Sequence, residues 1–253
     1  MTDMTQHIAS AFDRDLEGIQ AKIMKMGGLV EAAISDGAKS LETRDEELAE
    51  KVRLGDRAID ALEEQLNDEA ARVIAIRSPT AVDLRVILSV MRMSSNLERI
   101  GDLSKNMAKR TGVLAQLTPI QGSPTALRRM AREVELMLKD ALDAYIQRDA
   151  ELAMDVIERD RDVDQMYNTL FREFLTFMLE DPRNITACMH LHFIAKNIER
   201  MGDHVTSIAE QVVFLVTGAK PGEPRTKGDL TSSDPRYSVD AKSESIDANR
   251  DED

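Results

Sequence analysis

The sequence predicts an all-α fold of two tandem three-helix bundles, six long helices related by an internal duplication. Three observations carry this. Apolar residues recur at steps of three and four through most of the 253 residues. The same pattern starts again 104 residues further on. The composition, 42 % hydrophobic and 31 % charged with no Trp, 12 Gly and 7 Pro, is that of a water-soluble helical chain and excludes collagen-like, low-complexity and disulfide-framework classes.

The elements follow in order. Ile8, Phe12, Leu16, Ile19, Ile23, Met26, Val30, Ile34 and Leu41 trace one long amphipathic helix. Asp45, followed by Glu46 and Glu47, reads as an N-cap whose acidic neighbours complement the helix dipole, and Leu48, Val52, Ile59, Leu62, Leu66 and Val73 continue the period. Ser78-Pro79 stops this second helix. Thr80 and Asp83 resemble a capping box for a third helix, whose apolar positions Leu84, Ile87, Val90, Met91, Leu97, Ile100 and Met107 lead to about residue 115. Pro119 and Gly122 break the pattern, and Pro124 suits a first helical position.

Shifted by 104, Met26, Val30, Glu31 and Asp36 meet Met130, Val134, Glu135 and Asp140, and Arg44, Asp45, Leu48, Asp56 and Asp60 meet Arg148, Asp149, Leu152, Asp160 and Asp164. The offset falls to 103 at Pro79 and Pro182, then to 101, where Asn96, Glu98, Arg99, Gly101 and Asp102 meet Asn197, Glu199, Arg200, Gly202 and Asp203. A shortening of three residues around the second turn accounts for the drop. The expected units are 6–116 and 124–218, each an up-down-up bundle of helices about 45 Å long. Beyond Gly218 periodicity ends, and 219–253 is expected to be a disordered tail.

Charge and cysteine use narrow the function. The chain carries 33 Lys and Arg against 46 Asp and Glu, a formal charge of −13. The tail's 6 basic and 9 acidic residues account for −3 of this, so the acidity belongs to the helices. A nucleic-acid phosphate backbone would be repelled, and no nucleic acid is expected as partner. Cys188 is the single cysteine and MTDMTQHIAS lacks the basic and apolar regions of a secretory signal, so the expected compartment is the reducing cytoplasm. The longest apolar runs, around 86–93 and 212–216, fall short of the ~18 residues a membrane helix needs, so any membrane association is expected through partners.

The candidate site lies in four carboxylate pairs at i, i+4 spacing: Asp56 with Asp60, Glu98 with Asp102, Asp160 with Asp164, and Glu199 with Asp203. Asp60 and Glu98 each lie 19 residues from Pro79, and Asp56 and Asp102 each 23, so in an antiparallel hairpin the pairs are level. About Pro182, Asp164 and Glu199 lie 18 and 17 residues away, and Asp160 and Asp203 lie 22 and 21 away. Four carboxylates at one height repel unless some are protonated or a cation sits among them. Oxygen-only ligands favour Mg, Ca, Mn or Fe, and Zn also accepts carboxylate. The competing reading has the pairs facing outward, in salt bridges with Lys51, Arg57, Arg99, Arg159 and Arg161. Gly101 and Gly202, inside helices where Gly costs ~1 kcal/mol relative to Ala, mark a close backbone approach.

Other residues say less. His192 lies seven before Glu199 and could add a ligand, although the matching position in the first unit is Met91; His190 and His204 cluster nearby, while His7 is isolated. Cys188 and the 14 Met read as core residues. No nucleophile elbow, P-loop, H-E-x-x-H or Gly-rich phosphate loop occurs, and neither Glu98 nor Glu199 has the His three residues on that di-iron oxidases of this architecture use.

Met26-Gly27-Gly28-Leu29-Val30-Glu31, Pro79-Thr80-Ala81-Val82-Asp83-Leu84-Arg85, Leu97-Glu98-Arg99-Ile100-Gly101-Asp102 and Ile198-Glu199-Arg200-Met201-Gly202-Asp203 resemble the PhoU family of phosphate-uptake regulators, over about residues 5–218. The second unit departs from the first at Pro182-Arg183-Asn184-Ile185-Thr186-Ala187. The resemblance implies two three-helix bundles and metal ions (Fe, Zn, Mn or Mg) on Glu98, Asp102, Glu199 and Asp203, with Asp56, Asp60, Asp160 and Asp164 facing them. It implies a cytoplasmic, non-enzymatic adaptor that restrains phosphate uptake and the phosphate-starvation response by linking a phosphate ABC transporter to a sensor histidine kinase. The expected assembly is a homodimer or higher homo-oligomer. The rival expectation is a metal-dependent, all-helical phosphohydrolase, in which Arg99 and Arg200 would stabilise phosphoryl charge.

Overall fold

The computed structural model describes residues 2–221. The expected tail lies, from residue 222 on, outside the described residues. Six α-helices follow one another: α1 Thr2–Thr43, α2 Glu46–Arg77, α3 Ala81–Ala115, α4 Ser123–Gln147, α5 Ala150–Glu180 and α6 Ile185–Thr217. A single 3-10 turn, Pro182–Asn184, precedes α6.

The duplication is visible in the turns. Arg44 and Arg148 both adopt φ 56°, the left-handed conformation that ends α1 and α4. The next residue then caps the following helix. Asp45 accepts a hydrogen bond from the Leu48 amide at 2.9 Å, and Asp149 accepts from Glu151 and Leu152 at 2.9 and 3.0 Å. Before α3 the expectation is corrected: Thr80 is the N-cap residue but its side chain caps no amide. Its hydroxyl donates instead to Asp83 Oδ2 at 2.6 Å, a charge-assisted bond to the carboxylate one turn on. In the second half the 3-10 turn replaces Ser78-Pro79-Thr80, where Ser78 is left-handed at φ 44° and Thr80 extended, and Asp181 accepts from the Arg183 amide at 3.0 Å.

Each unit packs its three helices together, and the units join along α1 against α4 and α3 against α6. This leaves α2 and α5 as outer flanks and the other four helices in the middle. One core cluster therefore runs through both units, from Ile23, Met26 and Leu97 to Met130, Ile198 and Val205. Met26, Met107 and Met137 are buried filler, and Cys188 is fully buried with its thiol pushed up by burial, both as the sequence implies. At Gly27 a Cβ would run into Leu142, so glycine is what lets α4 approach α1 there. α3 and α6 run antiparallel, with Arg92 donating to Gln211 Oε1 at 3.4 Å and Arg110 to His190 Nδ1 at 3.1 Å. Among the described residues no helix is long and apolar enough to cross a membrane.

Candidate metal centre

Two carboxylate faces form where α2 meets α3 and where α5 meets α6. In the first, Asp56 comes from α2 and is 3 % exposed. Its neighbour across the interface is Gly101 of α3, where a Cβ would lie 3.3 Å from Asp56 Oδ1 and 3.0 Å from Ile59 Cδ1. Gly202 does the same service in the second half, where a Cβ would lie 3.2 Å from Asp160 Oδ1. The two helix-interior glycines thus make room for a buried carboxylate on the facing helix, which is the close approach their sequence positions imply.

An ammonium stands among the first-half carboxylates. Lys105 Nζ donates to Asp56 Oδ2 at 2.5 Å and to Asp102 Oδ1 at 3.0 Å. These bonds hold the lysine in its charged form well above its ordinary range. Asp60 and Glu98 are pushed upward, each chiefly by burial; Asp56 adds to the first effect, and Asp102, Glu63 and Asp60 to the second, against Arg99. Arg99 lies at the rim, 3.4 Å from Glu98 and 3.8 Å from Asp102. The four first-half acids are thus near enough to influence one another's charge.

The second face is more deeply buried. Asp160, Asp164 and Glu199 are 4, 2 and 2 % exposed, and Asp203 is half-buried. Lys196 donates to Glu199 Oε1 at 2.9 Å while its ammonium lies 4.9 Å from the centroid of the Tyr167 ring. His192 packs among Tyr167, Phe171 and Phe193, with ring centroids 5.3 to 6.0 Å away. His190 and His204 serve the contact between units: His190 accepts from Arg110, and His204 donates from Nδ1 to Asn96 Oδ1 at 2.9 Å. Burial pushes both imidazoles down, with Arg110 adding to the effect at His190 and Arg200 and Arg99 at His204.

Of the cations in the outward-facing reading, Arg99 pairs at the rim with Glu98 and Asp102. Lys51 pairs with Asp36, and Arg159 with Glu133 and Asp140. Sequence reasoning missed Lys105 and Lys196. Their signal was spacing: each stands three residues, about one helical turn, from a site acid.

The donor chemistry suits a hard cation, with carboxylate oxygens converging from two helices and Asp56 Oδ1 buried without a hydrogen-bond partner. As the side chains stand, no three His, Cys, Asp or Glu among the described residues are close enough to hold an ion together. In the first face the lysine occupies the middle.

Comparison with known proteins finds the same duplication. A family profile described as the PhoU domain matches twice, at residues 23–111 and 127–212. The phosphate-specific transport system accessory protein PhoU homolog of Rhizobium meliloti (strain 1021) is 45 % identical over 227 residues, 90 % of this chain and 96 % of the relative. The protein of the same name from Caulobacter vibrioides (strain NA1000 / CB15N) is 42 % identical over 229 residues, covering 90 % of this chain and all of the relative. The crystal structure of PhoU from Pseudomonas aeruginosa superposes with a TM-score of 0.79 at 37 % identity, over 82 % of this chain and 100 % of that one. The phosphate transport system regulatory protein PhoU from Streptococcus pneumoniae gives 0.75 at 28 %, over 84 % and 100 %. With both halves matched and relatives above 40 % identity along the helical body, the chain belongs to the PhoU family.

Proposed function

We propose that the protein is a negative regulator of phosphate uptake and of phosphate-starvation signalling. It works as a cytoplasmic, metal-binding adaptor between a phosphate ABC transporter and a sensor histidine kinase, as a homodimer or higher homo-oligomer. The observation that carries this is identity of 45 % along 90 % of the chain to a protein named as an accessory of phosphate-specific transport. The acidic helical body and the absence of a nucleophile or phosphate-loop motif agree with action by docking. Fe, Zn, Mn or Mg would sit on Asp56, Asp60, Glu98 and Asp102 in one half and on Asp160, Asp164, Glu199 and Asp203 in the other. There it would neutralise charge and stiffen the helix pair.

Deleting the gene tests the regulatory role: phosphate-starvation genes should switch on in ample phosphate, and unchanged expression would refute it. Pull-down from membranes should recover the transporter and the kinase. Purified protein with Mg²⁺, Mn²⁺ or Fe should release no phosphate from phosphoesters, whereas turnover of about 1 s⁻¹ abolished by Asp102→Asn or Asp203→Asn would favour the hydrolase. Asp102→Ala should lower bound metal in its own half and spare the other, since the faces lie on different helix pairs.

A further inference from the structure

Charge beyond α6 is unevenly spread along the sequence. Residues 219–242 hold five basic and four acidic residues, a net of +1. Residues 243–253 hold Glu244, Asp247, Asp251, Glu252 and Asp253 against Arg250 alone, a net of −4. Those eleven residues lie outside the described ones, and neither PhoU-domain match reaches them. Carboxylates so concentrated are attracted to a surface of opposite sign.

Such a surface lies on α4. Arg128, Arg129 and Arg132 line a groove of about 550 Å³ together with Thr125 and with Ser35 and Ala38 of α1. The arginines are no part of the duplicated pattern: at the offset of 104 their counterparts are Met24, Lys25 and Gly28. Arg129 makes no ion pair among the described residues. Arg128 and Arg132 each meet one glutamate, Glu42 and Glu135, on side chains that stay 51 and 59 % exposed. A guanidinium has five N–H donors, so a single carboxylate leaves several of them unused. Glu133, also in the lining, is held by Arg159.

The tether is long enough. α4 and α6 both run antiparallel to α5, so α6 ends level with the C-terminal end of α4, about 27 Å along the bundle from Arg129 at 1.5 Å per residue. Residues 219–242 can span up to about 80 Å, enough to pass around the bundle as well. An attached segment acts at an effective concentration of order mM, so several contacts, each weak because water screens it, add together.

We propose that residues 243–253 occupy this groove, their carboxylates docked on Arg128, Arg129 and Arg132 of the same chain. The segment then covers the α1–α4 face along which the two units join, and an acidic segment of any other protein must compete with it for the arginines.

The test labels arginines of the full chain with phenylglyoxal and reads each site by mass spectrometry, beside a full-length variant carrying Glu244→Gln, Asp247→Asn, Asp251→Asn, Glu252→Gln and Asp253→Asn. Arg128, Arg129 and Arg132 should label several-fold more slowly in the wild type than in the variant, with Arg183, 90 % exposed, as the steady reference. The protection should vanish in 1 M NaCl, where the screening length falls to about 3 Å. Arg129→Gln should speed labelling of Arg128 and Arg132, and dilution of the wild type should change nothing. Equal labelling of wild type and neutralised variant overturns the inference. So does protection that fades on dilution, which would assign the groove to the acidic segment of a second copy. Arginines that stay unprotected in the wild type until inorganic phosphate is added would make the groove a site for a free oxyanion and overturn it as well.

Discussion

The two carboxylate faces carry the same acids and the same helix-interior glycine, yet one is more open to water than the other. Asp60 is exposed and Glu98 half-buried, while their counterparts Asp164 and Glu199 are buried. The outer helices differ at aligned positions beside the two faces. Glu63 of α2 corresponds to Tyr167 of α5, which is 2 % exposed and lies beneath Lys196. A carboxylate at that position adds repulsion to an already acidic, hydrated face; a buried ring adds none and supplies an aromatic partner for the ammonium. Gly55 and Arg159 diverge in the same way. Gly55 leaves a groove of about 280 Å³ beside Leu29, Ala33 and Ile59, whereas Arg159 ties α5 to Glu133 and Asp140 of α4. Duplicated residues thus fix where charge collects, and their neighbours fix how wet it is.

The comparison breaks most visibly at its pivot. Tyr167→Glu imposes the first-half pattern on the more buried face by removing a buried ring and adding a buried charge. It should cost about 4 kcal/mol, read as a chemical denaturation midpoint. Glu63→Gln, at the matching position, should be neutral or slightly stabilising. Equal effects would mean that the two faces do not differ in hydration.

Next come the glycines. Gly101→Leu and Gly202→Leu should each lose about 1–3 kcal/mol by overpacking, with Gly101 the more sensitive because Ile59 and Asp56 both crowd it. Thermal melts of the two variants would show the order. Tolerance at both sites would mean that the helices do not approach as closely as the structure has them.

The smallest effect is on pH. Asp60 and Glu98 have folded-state pKa values raised above their ordinary ones, chiefly by partial desolvation against the facing helix, with neighbouring acids adding to it. Their contribution favours folding below the ordinary carboxylate range of about 4 and is lost as pH rises through the folded values. Asp60→Asn and Glu98→Gln should therefore gain a few tenths of a kcal/mol over the wild type at neutral pH and nothing at pH 3, the size being limited by solvent screening. Metal-free protein melted across this range shows it, and a gain at pH 3 alone would contradict the sign.

Periodicity, caps and repetition were legible in the sequence because they are local. A helix repeats every 3.6 residues, and Asp45 and Asp149 need only the next turn to cap it. Register was legible too, since a fixed turn and a fixed rise per residue set which acids stand level across a hairpin. The sequence therefore determined the six helices and their duplication in two tandem units. Only the tertiary structure decided that the units share one core through α1 with α4 and α3 with α6, that Lys105 sits between Asp56 and Asp102, and that the Tyr167 ring lies under Lys196. Those outcomes depend on which side chains meet after the helices have packed. A lysine three residues from an aspartate is common on any solvated helix, and only the neighbouring helix makes it a counter-ion.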